Sequence, residues 1–384
     1  MGVLNRTPAP IDADRPAAAD LLRVLAAWAV GAFHIWQQSW YSGAAPAHWL
    51  RAGSVGVDWL VLLSAFCLFL PWANAAAQGR PLPLTRPAAF YRRRAARLLP
   101  AYYASLLFSL VPALHCAGWS RTLGIDLAAH LTLTQQLFPQ SYLATRLNGV
   151  TWTLTVFALF YIVFPLLAPL CVRRPLPTLG ALCAVQLGYT LWALPQYGSD
   201  AYSSLFNQFP AFCGVLAVGL AAALVFAQLA RGGWTQRLLP RAGCTVLGVL
   251  ALVWLNAQLR TQAYAAEFQR YQLVNRMPLA LAAAAVLVGF GLGLTLPRPV
   301  RRVLSWLAAL SYSFYLWHQM LAVFLKYDLH LPAWSGDTPP NQLGDTVWMQ
   351  QAHALYWTAA IAVTLAAYYG VEKPIAKRLH GKKG

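Results

Sequence analysis

The sequence predicts an all-α, polytopic membrane bundle of about ten transmembrane helices, with both chain ends on the cytoplasmic side. Three observations carry this. Hydrophobic residues make up 59% of the 384 and charged residues only 10%, whereas a soluble domain carries about 25% charged residues to cover its surface. Apolar runs of about 20 residues, long enough to cross a hydrocarbon core of roughly 30 Å, recur along the chain. The basic residues also gather in alternate loops. The 50 aromatic residues exclude a disordered chain, and six scattered cysteines exclude a disulfide scaffold.

Continuous apolar runs mean helices rather than barrel strands, which alternate apolar and polar positions. In order, spans are expected at 22–41, 55–73, 100–117, 150–171, 178–195, 209–229, 242–258, 278–296, 304–325 and 353–371. Before them, residues 1–20 form a polar, proline-bearing cytoplasmic segment without the h-region or cleavage site of a signal peptide. The transmembrane domain is expected over 21–372 and a basic cytoplasmic tail over 373–384. Residues 126–138 (DLAAHLTLTQQLF) are too mixed to span easily and suit an interfacial or re-entrant helix, or else an eleventh element that would upset the count.

The net charge of +18 comes from 29 Lys and Arg against 11 Asp and Glu. Arg6, Arg15 and Arg23 precede the first expected span or lie at its start. With that end inside, the inner segments also hold Arg80, Arg86, Arg92, Arg93, Arg94, Arg97, Arg173, Arg174, Arg231, Arg237, Arg241, Arg298, Arg301 and Arg302. Lys373, Lys377, Arg378, Lys382 and Lys383 complete an inner set of 22, against seven outside: Arg51, Arg121, Arg146, Arg260, Arg270, Arg276 and Lys326. Such a bias is the topological signature of basic residues held in the cytoplasm. It absorbs most of the charge without a nucleic-acid partner, and no nucleic-acid-binding motif accompanies it.

Ionisable groups inside the hydrocarbon are costly and so point to function. His34 follows Arg23 by eleven residues, roughly 16 Å along a helix, which puts it in the outer half of the membrane. Asp58, near the outer start of the second span, and His318, in LSYSFYLWHQ, fall at similar depth. Each also has a plainer role: His34 as a packing residue, Asp58 as a helix cap, His318 as part of an interfacial aromatic belt. Ser64 reads as a packing residue. In FYRRRAARLLPAYY (90–103), Arg92, Arg93, Arg94 and Arg97 crowd the inner mouth of the third span. Arg94 and Arg97, three apart, share a face. Such a cluster anchors topology and attracts anionic lipid, but guanidinium forks also suit phosphate. No nucleotide-binding glycine motif occurs. In VTWTLTVFALFYIVFP (150–165), Trp152, Tyr161 and Pro165 punctuate an apolar helix.

Taken in order, these segments resemble the acyltransferase-3 family of integral membrane acyltransferases. DLLRVLAAWAVGAFH (20–34) resembles the opening helix, GVDWLVLLSAFCLFLP (56–71) the second, and FYRRRAARLLPAYY the basic third-helix motif, with Arg94 and Arg97 on its Arg-x-x-Arg positions. WTLTVFALFYIVFP resembles the tryptophan-led segment, LSYSFYLWHQ the late tyrosine-rich helix, and VEKP (371–374) the usual ending. Phe157 stands where the family commonly has a glutamate, and Ala65 where glycine is usual. The resemblance implies the stand-alone, polysaccharide O-acetyltransferase type, which would lack the added extracytoplasmic domain of some relatives.

The resemblance implies transfer of an acyl group, usually acetyl, from cytoplasmic acyl-CoA to a hydroxyl of a cell-surface or lipid-linked sugar. The setting is the bacterial inner membrane, with membrane lipid, the polysaccharide or lipid-linked acceptor, and a homo-oligomer or polysaccharide assembly complex as partners. Acetyl-CoA is the expected donor, and no metal is expected. Arg23, Arg92, Arg93, Arg94 and Arg97 would hold the donor. His34, oriented by Asp58 or His318, would act as base or acyl carrier, and Trp152, Tyr161 and His318 would face the acceptor. The competing classes are a proton-coupled transporter or flippase, with His34, Asp58 and His318 as a relay, and a non-catalytic member of an assembly complex. The absence of internal repeats and broken midplane helices counts against transport.

Overall fold

In the computed structural model, residues 12–43, 46–83, 86–199, 202–334 and 345–380 are described. The expected cytoplasmic segment therefore lies largely, and Arg6, Lys382 and Lys383 entirely, outside the described residues. Among those described, ten long helices and no strand occur: Ala17–Ser39, Gly56–Ala77, Pro87–Ala117, Trp152–Arg173, Pro175–Ala193, Cys213–Arg231, Leu238–Ala263, Phe268–Gly293, Arg298–Val323 and Thr346–Ala367. Nine are long and apolar enough to cross a membrane. The ninth in order, Arg298–Val323, also has the length, but it carries Arg298, Arg301 and Arg302 at its start and a polar run around Ser311–Ser313. Proline opens the third and fifth helices at Pro87 and Pro175, where no amide hydrogen is needed. The Asp345 side chain accepts from Trp348 N at 2.9 Å to start the tenth.

The segment expected to be interfacial or re-entrant folds as a short helix, Arg121–Leu131, followed by the turns Gln135–Leu137 and Pro139–Tyr142. Eleven residues rise roughly 16 Å, too short to span. The third helix begins at Pro87, thirteen residues before its apolar run, so the arginine cluster is helical throughout.

The chain divides into two compact units. One comprises Met1–Ala26, Val55–Thr85 and Val163–Ala309. In it the second and sixth helices meet almost backbone to backbone: a methyl group on Gly219 would lie 2.4 Å from the Leu62 carbonyl oxygen and 2.8 Å from the Ala65 methyl. Small residues at such crossings let membrane helices gain dispersion contact. Ala65 is accommodated because the facing position is glycine. Asp20 accepts from Arg15 at 3.0 Å, Arg23 at 3.3 Å and Ser305 at 2.9 Å.

The other unit comprises Ala27–Ser54, Arg86–Ile162 and Leu310–Gly384. One part of its core gathers Ala27, Ile35, Phe314, Tyr356 and Ala360. Another gathers Tyr102, Leu154, Leu316 and Trp317. The Trp28, Phe314 and Trp357 rings stack with centroids 4.8–5.8 Å apart and planes within 16°. Stacking of this kind fixes the ninth helix against the first beyond simple area burial.

Candidate active site

His34 and His318 lie in the second unit, with ring centroids 5.3 Å apart. Gly31, one turn before His34, makes this approach possible. Its missing side chain leaves room for the Phe314 ring, which would sit 2.4 Å from an added methyl. Phe314 in turn stacks on His318 at 5.5 Å. The His34 Nδ1 lies 2.9 Å from Gln37 Oε1. With the amide oxygen accepting, Nδ1 carries hydrogen and Nε2 keeps its lone pair.

The helix that carries His318 is pinned from several sides. Asn148 Nδ2 donates to Leu316 O at 2.8 Å and to Ser105 Oγ at 3.3 Å. Thr153 Oγ1 donates to the Tyr315 hydroxyl at 3.0 Å, and that hydroxyl donates to Val150 O at 3.1 Å. Ser313 donates to Glu372, in the VEKP segment.

A cavity of about 160 Å³ opens between the third and fourth helices of the same unit, with Arg94, Tyr102, Phe157, Tyr161 and Tyr312 among its walls. Arg94 is half-buried, with its guanidinium 5.8 Å from the Phe90 ring centroid and its buried Nε without a hydrogen-bond partner. Tyr312, six residues before His318, ties the wall to the third helix by donating to Leu98 O at 2.9 Å. Six residues are roughly 9 Å of helix. The cavity and the histidine pair are thus successive levels along one helix.

The other expected residues are distributed differently. Arg92, Arg93 and Arg97 are exposed, and Arg97 lies within electrostatic reach of Glu372. Tyr161 stacks on Phe157 at 6.3 Å, while Trp152 packs edge-on against Tyr142 at 5.9 Å. Arg23 belongs to the first unit, paired with Asp20 and donating to Cys67 Sγ at 3.4 Å.

Asp58, also in the first unit, forms a fully buried ion pair with Arg276 at 3.0 Å. The expected span at 278–296 leaves Arg276 in the loop before it, whereas the eighth helix starts at Phe268, so Arg276 sits within that helix. There it donates to Phe206 O, Ala211 O and Asn207 Oδ1 at 3.3, 3.4 and 3.0 Å, with its guanidinium 4.1 Å from the Phe212 ring centroid.

Sequence reasoning missed Gly31, Asn148, Ser313 and Arg276. Only Arg276 left a signal, since it stands two residues before an apolar run and a helix can begin earlier than its hydrophobic stretch.

Residues 17–371 match the acyltransferase domain family. Acyltransferase MdmB of Streptomyces mycarofaciens is 32% identical over 157 residues, a stretch covering 38% of this chain and 37% of that protein. No solved structure matches the chain. A match across nearly all the helices, together with the ordered motifs, places this multi-pass membrane protein in the acyltransferase-3 family.

Proposed function

We propose that the protein is a membrane O-acyltransferase that moves an acyl group, acetyl by family habit, from cytoplasmic acyl-CoA to a hydroxyl of a cell-surface or lipid-linked sugar. The observation that carries this reading is the vertical order within the second unit. An under-satisfied arginine faces a cavity, and a histidine pair lies about 9 Å further along the helix that walls it. The 22 to 7 distribution of basic residues supports an inner-membrane orientation with the arginine cluster in the cytoplasm.

Coenzyme A brings phosphates, and Arg94 and Arg97 offer forked donors for them, with Arg92 and Arg93 adding charge nearby. The cavity beside Phe157 and Tyr312 suits the thin pantetheine arm, which carries the thioester toward His34. A hydroxyl is a weak nucleophile at neutral pH. The lone pair on His34 Nε2 accepts its proton as the oxygen attacks the thioester carbonyl, or attacks that carbonyl itself and carries the acyl group. Trp152 and Tyr161 are proposed acceptor contacts. Asp58 would contribute through the fold by neutralising Arg276.

The test is incubation of purified protein in nanodiscs with radiolabelled acetyl-CoA and a glycoside acceptor, with donor binding and CoA release scored separately. Wild type is expected to do both, and His34→Ala to bind without turnover. Folded wild type that binds no acyl-CoA would exclude the proposed activity.

A further inference from the structure

We propose that His318 is the second station of a proton relay, taking the proton that His34 removes from the acceptor hydroxyl; this rests on the acyl-transfer reading above. Three observations converge. The rings are neighbours, tilted by 35° with centroids 5.3 Å apart. The His318 Nδ1 lies 3.0 Å from Phe314 O. A carbonyl oxygen only accepts, so Nδ1 holds the hydrogen and Nε2 of the neutral ring is a bare lone pair. That Nε2 is buried, has no hydrogen-bond partner, and belongs to a side chain with no solvent exposure. An orphaned buried acceptor is costly and needs a reason. Here it is an acceptor kept vacant for the proton that arrives on His34.

The arrangement suits an apolar site. A carboxylate behind the histidine would be a standing charge in low dielectric and would need its own cation, as Asp58 has Arg276. A neutral imidazole leaves the pair uncharged between turnovers, then spreads a single positive charge over two rings. In the reaction the acceptor oxygen bonds to the thioester carbonyl carbon, and its proton goes to His34 Nε2. From there the proton passes to His318 Nε2 as the two rings close to hydrogen-bond distance. As the carbon–sulfur bond breaks, the departing thiolate takes that proton back through His34. The products are an ester and the CoA thiol, and no other reactant is consumed. His318 is thus a positioning residue that acts through His34 without touching substrate.

His318→Asn separates the relay from a merely structural role, because the Asn amide reproduces the Nδ1–H donor to Phe314 O and lacks Nε2. Full-length protein in nanodiscs, acetyl-CoA as donor and octyl glucoside as acceptor are the probes. The relay predicts wild-type KM for acetyl-CoA with kcat reduced roughly 100-fold, and partial recovery of His318→Ala by added imidazole. Wild-type kcat in a folded His318→Asn variant would overturn the relay while leaving the acyltransferase reading intact. Inactive wild type would overturn both. Independently of activity, nitrogen-15 spectra of labelled histidine should show a bare Nε2 on His318 whose shift moves in His34→Gln. A protonated Nε2 on neutral His318 would overturn the relay even if the variants failed to fold.

Discussion

Arg276 reaches Asp58 across 3.0 Å, with neither side chain open to solvent. Each charge compensates the other in a medium where an unpaired ion is expensive. Loss of one partner is therefore worse than loss of both. Arg276→Ala or Asp58→Ala alone should destabilise the protein by about 3–5 kcal/mol, whereas Asp58→Leu combined with Arg276→Met should recover most of it. Thermal unfolding in detergent measures the stability, and acyl transfer by the double variant measures the role. If the double variant folds and still turns over, Asp58 serves the fold. If it folds and is dead, Asp58 also serves the chemistry.

Gly31 faces Phe314 where no Cβ fits. Gly31→Val must push the ring aside, and because Phe314 stacks on His318 the displacement passes to the histidine pair. Overpacking of this kind costs about 1–3 kcal/mol. The expected outcome is a lowered melting temperature with kcat reduced more than donor KM. Phe314→Leu in the same background should relieve part of the clash and restore part of the stability.

The helices are legible because each apolar run declares its own length, and the depth that His34 and His318 share in the sequence corresponds to rings 5.3 Å apart in the structure. Their contact depends on Gly31, which looks in sequence like any small residue of a membrane helix. The ion pair of Asp58 is not legible, because its partner Arg276 is hidden by a helix that starts ten residues before its hydrophobic stretch. The short helix Arg121–Leu131 was legible as something that does not span. Its buried pair, His130 Nδ1 at 3.1 Å from Asp126 Oδ1, was not, because no periodicity reports a contact closed by Thr145 and Arg146 from a later loop.

Phe157 changes what Arg94 meets. Both line one cavity, and Arg94 Nε lacks a partner there. Restoring the family's usual acid with Phe157→Glu would place a carboxylate in that cavity, where it pairs with the guanidinium. The expected outcome is weaker acyl-CoA binding, by about tenfold, together with a higher melting temperature. Isothermal titration with acetyl-CoA and thermal unfolding are the two measurements. Phe157→Leu, which adds no charge, should leave donor binding near wild type.

Arg94 and Arg97 share a helix face but not an environment, and this separates their contributions. Arg97 is exposed and screened by water, so Arg97→Ala should weaken acyl-CoA binding only a few-fold, by an amount that shrinks as salt rises. Arg94 is half-buried against the Phe90 ring, where its interaction with a phosphate is less screened. Arg94→Ala should therefore weaken binding by more than tenfold with little dependence on salt. Arg94→Lys should fail to restore it, because an ammonium cannot reproduce the planar fork. Donor titrations at low and high salt for the three variants decide the matter. Equal, salt-sensitive losses at both positions would mean that the cluster acts only as a diffuse basic surface and that the cavity does not receive the donor.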